Sequence, residues 1–279
     1  MTEPSGTSRP ARPPRPARPG RRAAAPPRDA GSWAPNVHRL STGPDRAGTN
    51  VAGRRLTGPI QGFGQMWQKT YRLELGPDIP PRQAIGTWKA HFGEFWPAGS
   101  RFDESLTGIS PGDVALLDVG LGGGVRLSTG VFVLYADEES FTLMTPEGHM
   151  FAGWITFSAE RAGDGGDRQV ADRPTVLQVR VLMRANDPLY ELAMSLGGHR
   201  KEDQFWVQTM TALARYLGAP PARVQTRTVC IDPRRQWGNA GGVWHNAMVR
   251  SALQAAAAPF AALARRRRDD SHSAPARRS

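Results

Sequence analysis

The chain of 279 residues has one cysteine, Cys230, and only three lysines, Lys69, Lys89 and Lys201. A lone cysteine excludes an internal disulfide and any metal site built from several thiolates. It fits a reducing compartment, so the expected location is cytoplasmic. With so few lysines, arginine is almost the whole basic complement. Together with abundant Ala, Pro and Gly, this reads as the coding bias of a GC-rich, bacterial-type genome and not as functional enrichment. No run of about 18–20 apolar residues occurs, so no membrane-spanning helix is expected. The first 30 residues lack an apolar core and do not read as a secretory signal.

Several motifs are missing as well. In Gly120-Leu121-Gly122-Gly123-Gly124 the final glycine of a dinucleotide fingerprint is replaced by Val125, and a strand follows instead of a helix. No Gly-Lys-Ser/Thr follows either, so the run reads as a hairpin loop and not as a phosphate cradle. No His-x-x-x-His spacing and no Ser-His-Asp order stands out, and Ser128, Ser140 and Ser158 lack a nucleophile-elbow context. Neither a cofactor nor a metal is expected.

The charge is unevenly placed. The net charge is +11, yet residues 1–55 hold eleven arginines against three acids, and residues 223–279 hold the same. The segment between them is net acidic. Residues 1–55, with repeated Pro-Ala-Arg and Pro-Pro-Arg units, have almost nothing to bury and read as a disordered tail. Residues 265–279 read as a second basic disordered tail. Residues 56–220 are the expected folded domain, and residues 221–264 an extension with an Ala-rich helix over 243–264, interrupted by Pro259. The plain reading of such tails is a solvated one; the alternative is a weak contact with nucleic acid or an anionic membrane.

Within the domain the hydrophobic period alternates between that of strands and that of helices. Gln65–Leu75 reads as a half-buried strand with Trp67, Tyr71, Leu73 and Leu75 on one side. Pro81–Trp96 reads as a helix with Ile85, Trp88, Phe92 and Phe95 on one stripe. Strands follow at Val114–Val119, Gly124–Tyr135, Ser140–Thr145, His149–Ala159 and Thr175–Arg184, joined by turns at Asp137-Glu138-Glu139 and Pro146-Glu147-Gly148 and by a long loop over 161–173. Short turns between consecutive strands make an antiparallel meander. Asn186-Asp187-Pro188 starts a long helix that pauses at Gly197-Gly198 and presents Trp206, Met210, Leu213 and Leu217 before Gly218 stops it. Residues 222–241 read as irregular. The fold class is therefore α+β: a curved antiparallel sheet wrapped around a long C-terminal helix.

This order resembles the START-like, helix-grip (SRPBCC) superfamily. Residues 60–218 are similar to a branch of it known as a domain of unknown function in bacteria and plants. The resemblance is carried by Thr145-Pro146-Glu147-Gly148-His149, by Gly153-Trp154 and by Arg184-Ala185-Asn186-Asp187-Pro188-Leu189. That branch carries a Gly-Glu-Glu step after the Gly-His turn; here Trp154 and Ile155 stand in place of the acids. The superfamily implies binding of lipids, sterols or polyketides, with some cyclases and hydrolases.

Three functions follow as expectations. One is a binding module for a small hydrophobic, lipid-like or aromatic molecule held between sheet and helix, with Tyr71, Trp88, Phe92, Phe151, Trp154, Arg184, Trp206 and Met210 as lining residues. The second is an enzyme of cyclase or hydrolase type in the same cavity, with His149 as general acid or base and Glu147 to orient it. The bland alternative for His149 is a histidine hydrogen-bonded at a strand start. The third is an interaction protein that contacts nucleic acid or anionic membrane through the basic tails. Arg184 and Asp187 are a candidate ion pair at the strand–helix junction.

Overall fold

The protein is described from a computed structural model, which covers residues 30–42, 50–103, 108–122, 125–163 and 172–251. Among the described residues nine strands form one antiparallel sheet: β1 (Leu56–Thr57), β2 (Met66–Gly76), β3 (Arg101–Asp103), β4 (Val114–Gly122), β5 (Val125–Ala136), β6 (Ser140–Pro146), β7 (Phe151–Arg161), β8 (Thr175–Ala185) and β9 (Gln225–Asp232). Their spatial order is β3-β4-β5-β6-β7-β8-β2-β9, with β1 paired to β6. Among the described residues three complete α-helices accompany them: α1 (Pro81–Ala90), α2 (Pro188–Ala193) and α3 (His199–Tyr216). This is the expected helix-grip architecture, a curled sheet around a long C-terminal helix.

The register explains the core. Lys69 of β2 lies opposite Val181 of β8, which lies opposite Ile155 of β7. One row further on are Tyr71, Val179 and Phe157, and then Leu73, Leu177 and Ala159. These positions face inward with α1 and α3, and the alternate positions Gln68, Thr70, Arg72 and Glu74 face outward, as a strand period of two requires.

Local chemistry sets the helix ends. Pro81 occupies the first position of α1. The stripe Ile85, Trp88, Phe92 and Phe95 is buried as expected. The α-helix nevertheless stops at Ala90, because His91 leaves helical geometry and Phe92–Phe95 tighten into a 3-10 turn. At Asp187 the side chain accepts from Leu189 N and Tyr190 N, with Pro188 next, and this starts α2. The pause at Gly197-Gly198 is a π turn over Met194–Gly198 in which Gly197 has φ +116°. A side chain at that φ is strained, so glycine belongs there.

Three expectations are corrected. Residues 222–241 are not irregular throughout, because β9 pairs with β2. As an edge strand it buries no residue, so no apolar face betrays it. The helix expected to begin at Val243 does not, because Trp237–His245 is a 3-10 run and the chain turns helical only from residue 247. Asn246 ends the run and caps the new turn, its Oδ1 accepting from Met248 N and Val249 N. The remainder of that expected helix lies outside the described residues, as does the segment 265–279. Finally, part of the expected N-terminal tail is packed. Trp33 lies 4.8 Å from Tyr135, and Leu40 and Val51 are buried with Phe132 on the outer side of β5.

Candidate functional site

The inner surface changes character along the register. At one end it is closed by rings. Trp88 and Phe92 of the α1 region meet Phe141 of β6 and Phe157 of β7, with Trp88–Phe157 centroids at 4.9 Å and Phe141 stacked on Phe157 at 4.5 Å. These four side chains are fully buried, as are Tyr71 and Met210. Edge-to-face aromatic packing adds to their burial.

Towards the start of α3 the same surface loosens. Trp67, Phe151, Ile155 and Val119 point inward but are only half-buried, and so are Trp96, Phe205 and Trp206 beside them. Trp206 touches Phe157 at 5.4 Å and Phe205 at 4.9 Å, so it stands at the border of the two ends. Four buried polar atoms of this interior lack a hydrogen-bond partner among the described residues: Trp88 Nε1, Trp96 Nε1, Thr129 Oγ1 and His199 Nδ1. Buried groups of this kind are nearly always paired, with protein, water or ligand.

A charged cluster borders this looser end, called the open end below. Lys69 is fully buried; its Nζ lies 2.8 Å from Asp203 Oδ1 and 2.9 Å from Glu202 Oε2, and donates to His199 O at 3.1 Å. Tyr71 Oη donates to Asp203 Oδ1 at 2.7 Å. Burial pushes the Glu202 carboxyl up to about 7, against the pull of Lys69. Burial, with the adjacent carboxylates, also raises the Tyr71 phenol, so it stays a donor. Burial and the Lys69 charge lower His199 to about 4, which keeps its ring neutral near neutral pH. Glu202 therefore titrates near neutrality inside an apolar interior, where each charge change is costly.

Sequence reasoning missed this cluster. The inward side of β2 was read as Trp67, Tyr71, Leu73 and Leu75, passing over Lys69 between them. The available signal was the period itself: Lys69 holds an inward register position, and Glu202-Asp203 open the facing helix.

The expected lining residues divide by face. Tyr71, Trp88, Phe92, Phe151, Trp206 and Met210 are turned to the sheet–helix interior. Trp154 is not: its alternate position puts it on the outer face, 37% exposed, with its ring edge against Gly58. Arg184 is buried on the outer side too. It bonds Gly64 O, Arg234 O and Asp232 Oδ2, the last at 2.7 Å, so its ion-pair partner is Asp232 and not Asp187. Asp187 instead caps α2 and accepts from Asn246 Nδ2 at 2.8 Å.

The structure does not bring His149 and Glu147 together. Glu147 faces Arg54, Arg55 and His245. His149 is buried, and its Nδ1 accepts from Phe151 N at 3.0 Å. Burial lowers it to about 4. A ring held neutral, with one nitrogen committed to the backbone, has the character of a strand-start histidine. Gly148 holds this turn at φ +89°, and a Cβ there would lie 2.1 Å from His245 O, so the turn is clamped by the chain beyond β9.

A separate groove of about 510 Å³ lies on the outer face of β2, β8 and β9, between Arg72, Gln178, Arg180 and Arg227. Its polar lining suits water and ions, not an apolar molecule. Among the described residues no group of three His, Cys, Asp or Glu is placed to hold a metal.

No protein-family model matches the sequence, and no curated protein matches it. Solved structures do show similarity in chain path. The di-domain ARO/CYC StfQ of the steffimycin biosynthetic pathway is 8% identical with a TM-score of 0.40, over 55% of this chain and 50% of that one. A START superfamily protein from Mycobacterium smegmatis is 19% identical with a TM-score of 0.35, over 56% and 98%. The ginseng major latex-like protein 151 from Panax ginseng is 12% identical with a TM-score of 0.33, over 55% and 98%.

Proposed function

We propose that the protein binds a small hydrophobic molecule, lipid-like or aromatic, at the open end of the sheet–helix interior. The observation that carries the reading is the change along one inner surface, from fully buried rings around Trp88 to half-buried Trp67, Phe151, Ile155 and Trp206. Inward-facing apolar side chains left partly wet gain from an apolar ligand, roughly 25 cal/mol per Å² covered. The unpartnered donor at Trp96 Nε1, beside those side chains, gives an acceptor on such a ligand a partner. The Lys69–Glu202–Asp203 cluster makes one wall polar, so an amphipathic ligand with a single polar end fits better than a bare hydrocarbon.

The reading is tested by displacement of a fluorescent apolar probe, with fatty acids and polycyclic aromatics as competitors. Wild type is expected to bind the probe, and Trp206→Ala and Phe151→Ala to bind it at least about fivefold more weakly, with both variants folded. Unchanged probe binding in both variants would remove the open end as the site.

A further inference from the structure

The interior is not the only apolar surface left without cover. In α2 and the π turn after it, Leu189, Leu192 and Leu196 recur at i, i+3 and i+7 and are 41%, 57% and 79% exposed. Their opposite side, with Tyr190, Glu191 and Met194, is buried. The 3-10 run Trp237–His245 buries nothing at all, and its Trp237 and Trp244 are 74% and 82% exposed. Ile60, in the short 3-10 turn Pro59–Gln61, is 75% exposed.

These elements are tied to one another. Asn239 Nδ2 donates to Ile60 O and Gly62 O, Arg235 Nε reaches Glu191 Oε1 at 3.0 Å, and Asn246 Nδ2 donates to the Asp187 cap of α2. Large apolar side chains are thus held out to solvent on three elements, of which the segment around Trp237–His245 is bonded to the other two. Soluble surfaces rarely keep such a group exposed without a partner.

The surrounding charge is predominantly positive. Residues 233–251 contain no acid, and over 188–201 the only one, Glu191, is buried against Arg235. Arg55 and Arg234 are largely exposed; their partners Glu147 and Asp232 are each shared with a second arginine, Arg54 and Arg184, so arginine stays in excess, and Arg200 lies on the surface beyond Leu196. A second copy of the chain would bring these arginines against each other.

We propose that this face, formed by α2, the Trp237–His245 run and Ile60, docks on an anionic lipid bilayer. Tryptophan is at home in the interfacial zone, leucines enter the acyl boundary, and each arginine near the surface gains from anionic headgroups. The proposal is independent of the ligand reading, because none of its residues lines the interior. It also differs from binding through the basic tails, which would need no aromatic.

The test is flotation of the full-length protein with vesicles of phosphatidylcholine containing about a third phosphatidylglycerol, against pure phosphatidylcholine. The parent is expected to float with the anionic vesicles and to be released as salt rises. The double variant Trp237→Ser, Trp244→Ser should lose about tenfold or more in partitioning. Leu192→Ser with Leu196→Ser should lose a similar amount. All four positions are exposed, so the melting temperature serves as a folding control. A full-length variant with Arg265 to Arg268 replaced by Ser should keep most of its binding. The proposal is overturned if the parent fails to float, if the tryptophan and leucine variants float like the parent, or if the serine-tail variant alone abolishes binding. Concentration-dependent self-association that the tryptophan variant abolishes, without vesicle binding, would assign the face to a second copy instead.

Discussion

The two ends of the interior are built on the same strands yet obey different rules. At the closed end, Phe141, Phe157, Trp88 and Phe92 fill the space with rings in edge and stacked contact. Two register steps away on the same strand, Ile155 and its neighbours are half wet, and a buried Lys69 meets two carboxylates. The first arrangement is what stability asks of a core. The second is a poorer core. The proposal of a ligand in one half of the interior rests on this difference.

Replacement at the closed end carries the largest effect. Trp88→Ala is expected to cost about 3–5 kcal/mol in denaturant unfolding, as large-to-small changes of buried rings do. Trp206→Ala, at the border, should cost much less while it weakens ligand binding. If the two variants prove equally destabilised, the two-ended interior is wrong.

The charged wall comes next. Lys69→Met leaves Glu202 and Asp203 without their cation and is expected to cost about 3 kcal/mol near pH 8. Adding Glu202→Gln to that variant should recover part of the loss, a coupling that a double-mutant cycle reads directly.

The pH dependence sharpens the same contrast. Glu202 has its folded pKa raised, from 4.5 to about 7. Between those values the folded state holds a proton that the unfolded state has lost, so this carboxyl lowers stability as pH rises through about 4.5 to 7. Relative to wild type, Glu202→Gln should therefore melt at a progressively higher temperature from pH 5 to pH 8. His149 and His199 act in the opposite sense. Each is lowered from 6.5 to about 4, so the unfolded state binds protons first and stability is lost as pH falls through that window. His149→Gln should flatten the acid limb of the melting profile. A limb as steep as that of wild type would show that His149 is not held neutral by burial.

The smallest effect is expected at Trp154. On the outer face, Trp154→Thr should change stability by no more than about 0.5–1 kcal/mol and leave probe binding unchanged. A loss of binding there would mean that the outer face belongs to the site.

Most of the fold was legible because its elements obey clear periods. Strand β2, strands β4 to β8 and the capped start of α2 follow from alternation, Gly/Pro punctuation and the Asp187-Pro188 pair. What stayed hidden did so for physical reasons. β9 has no buried face to print a pattern, since its backbone pairs with β2 while its side chains stay outside. The end of α1 at Ala90 falls inside a continuous apolar stripe, and a 3-10 turn spends such a stripe as readily as an α-helix does. Arg184 was placed by nearness in sequence to Asp187, whereas its partner Asp232 comes from a strand 48 residues on. Lys69 was the informative omission. A lysine at an inward register position violates the apolar pattern, and such violations mark the places where an interior does more than fold.

The central claim, that the open end holds a small apolar molecule, is tested most directly by native mass spectrometry of the full-length protein purified from its own host, followed by denaturing extraction. The account predicts a reproducible adduct of small-molecule mass, released on denaturation and absent from Trp206→Ala. A wild-type protein that emerges without adduct, and takes up none when incubated with the host's lipid extract, would contradict it.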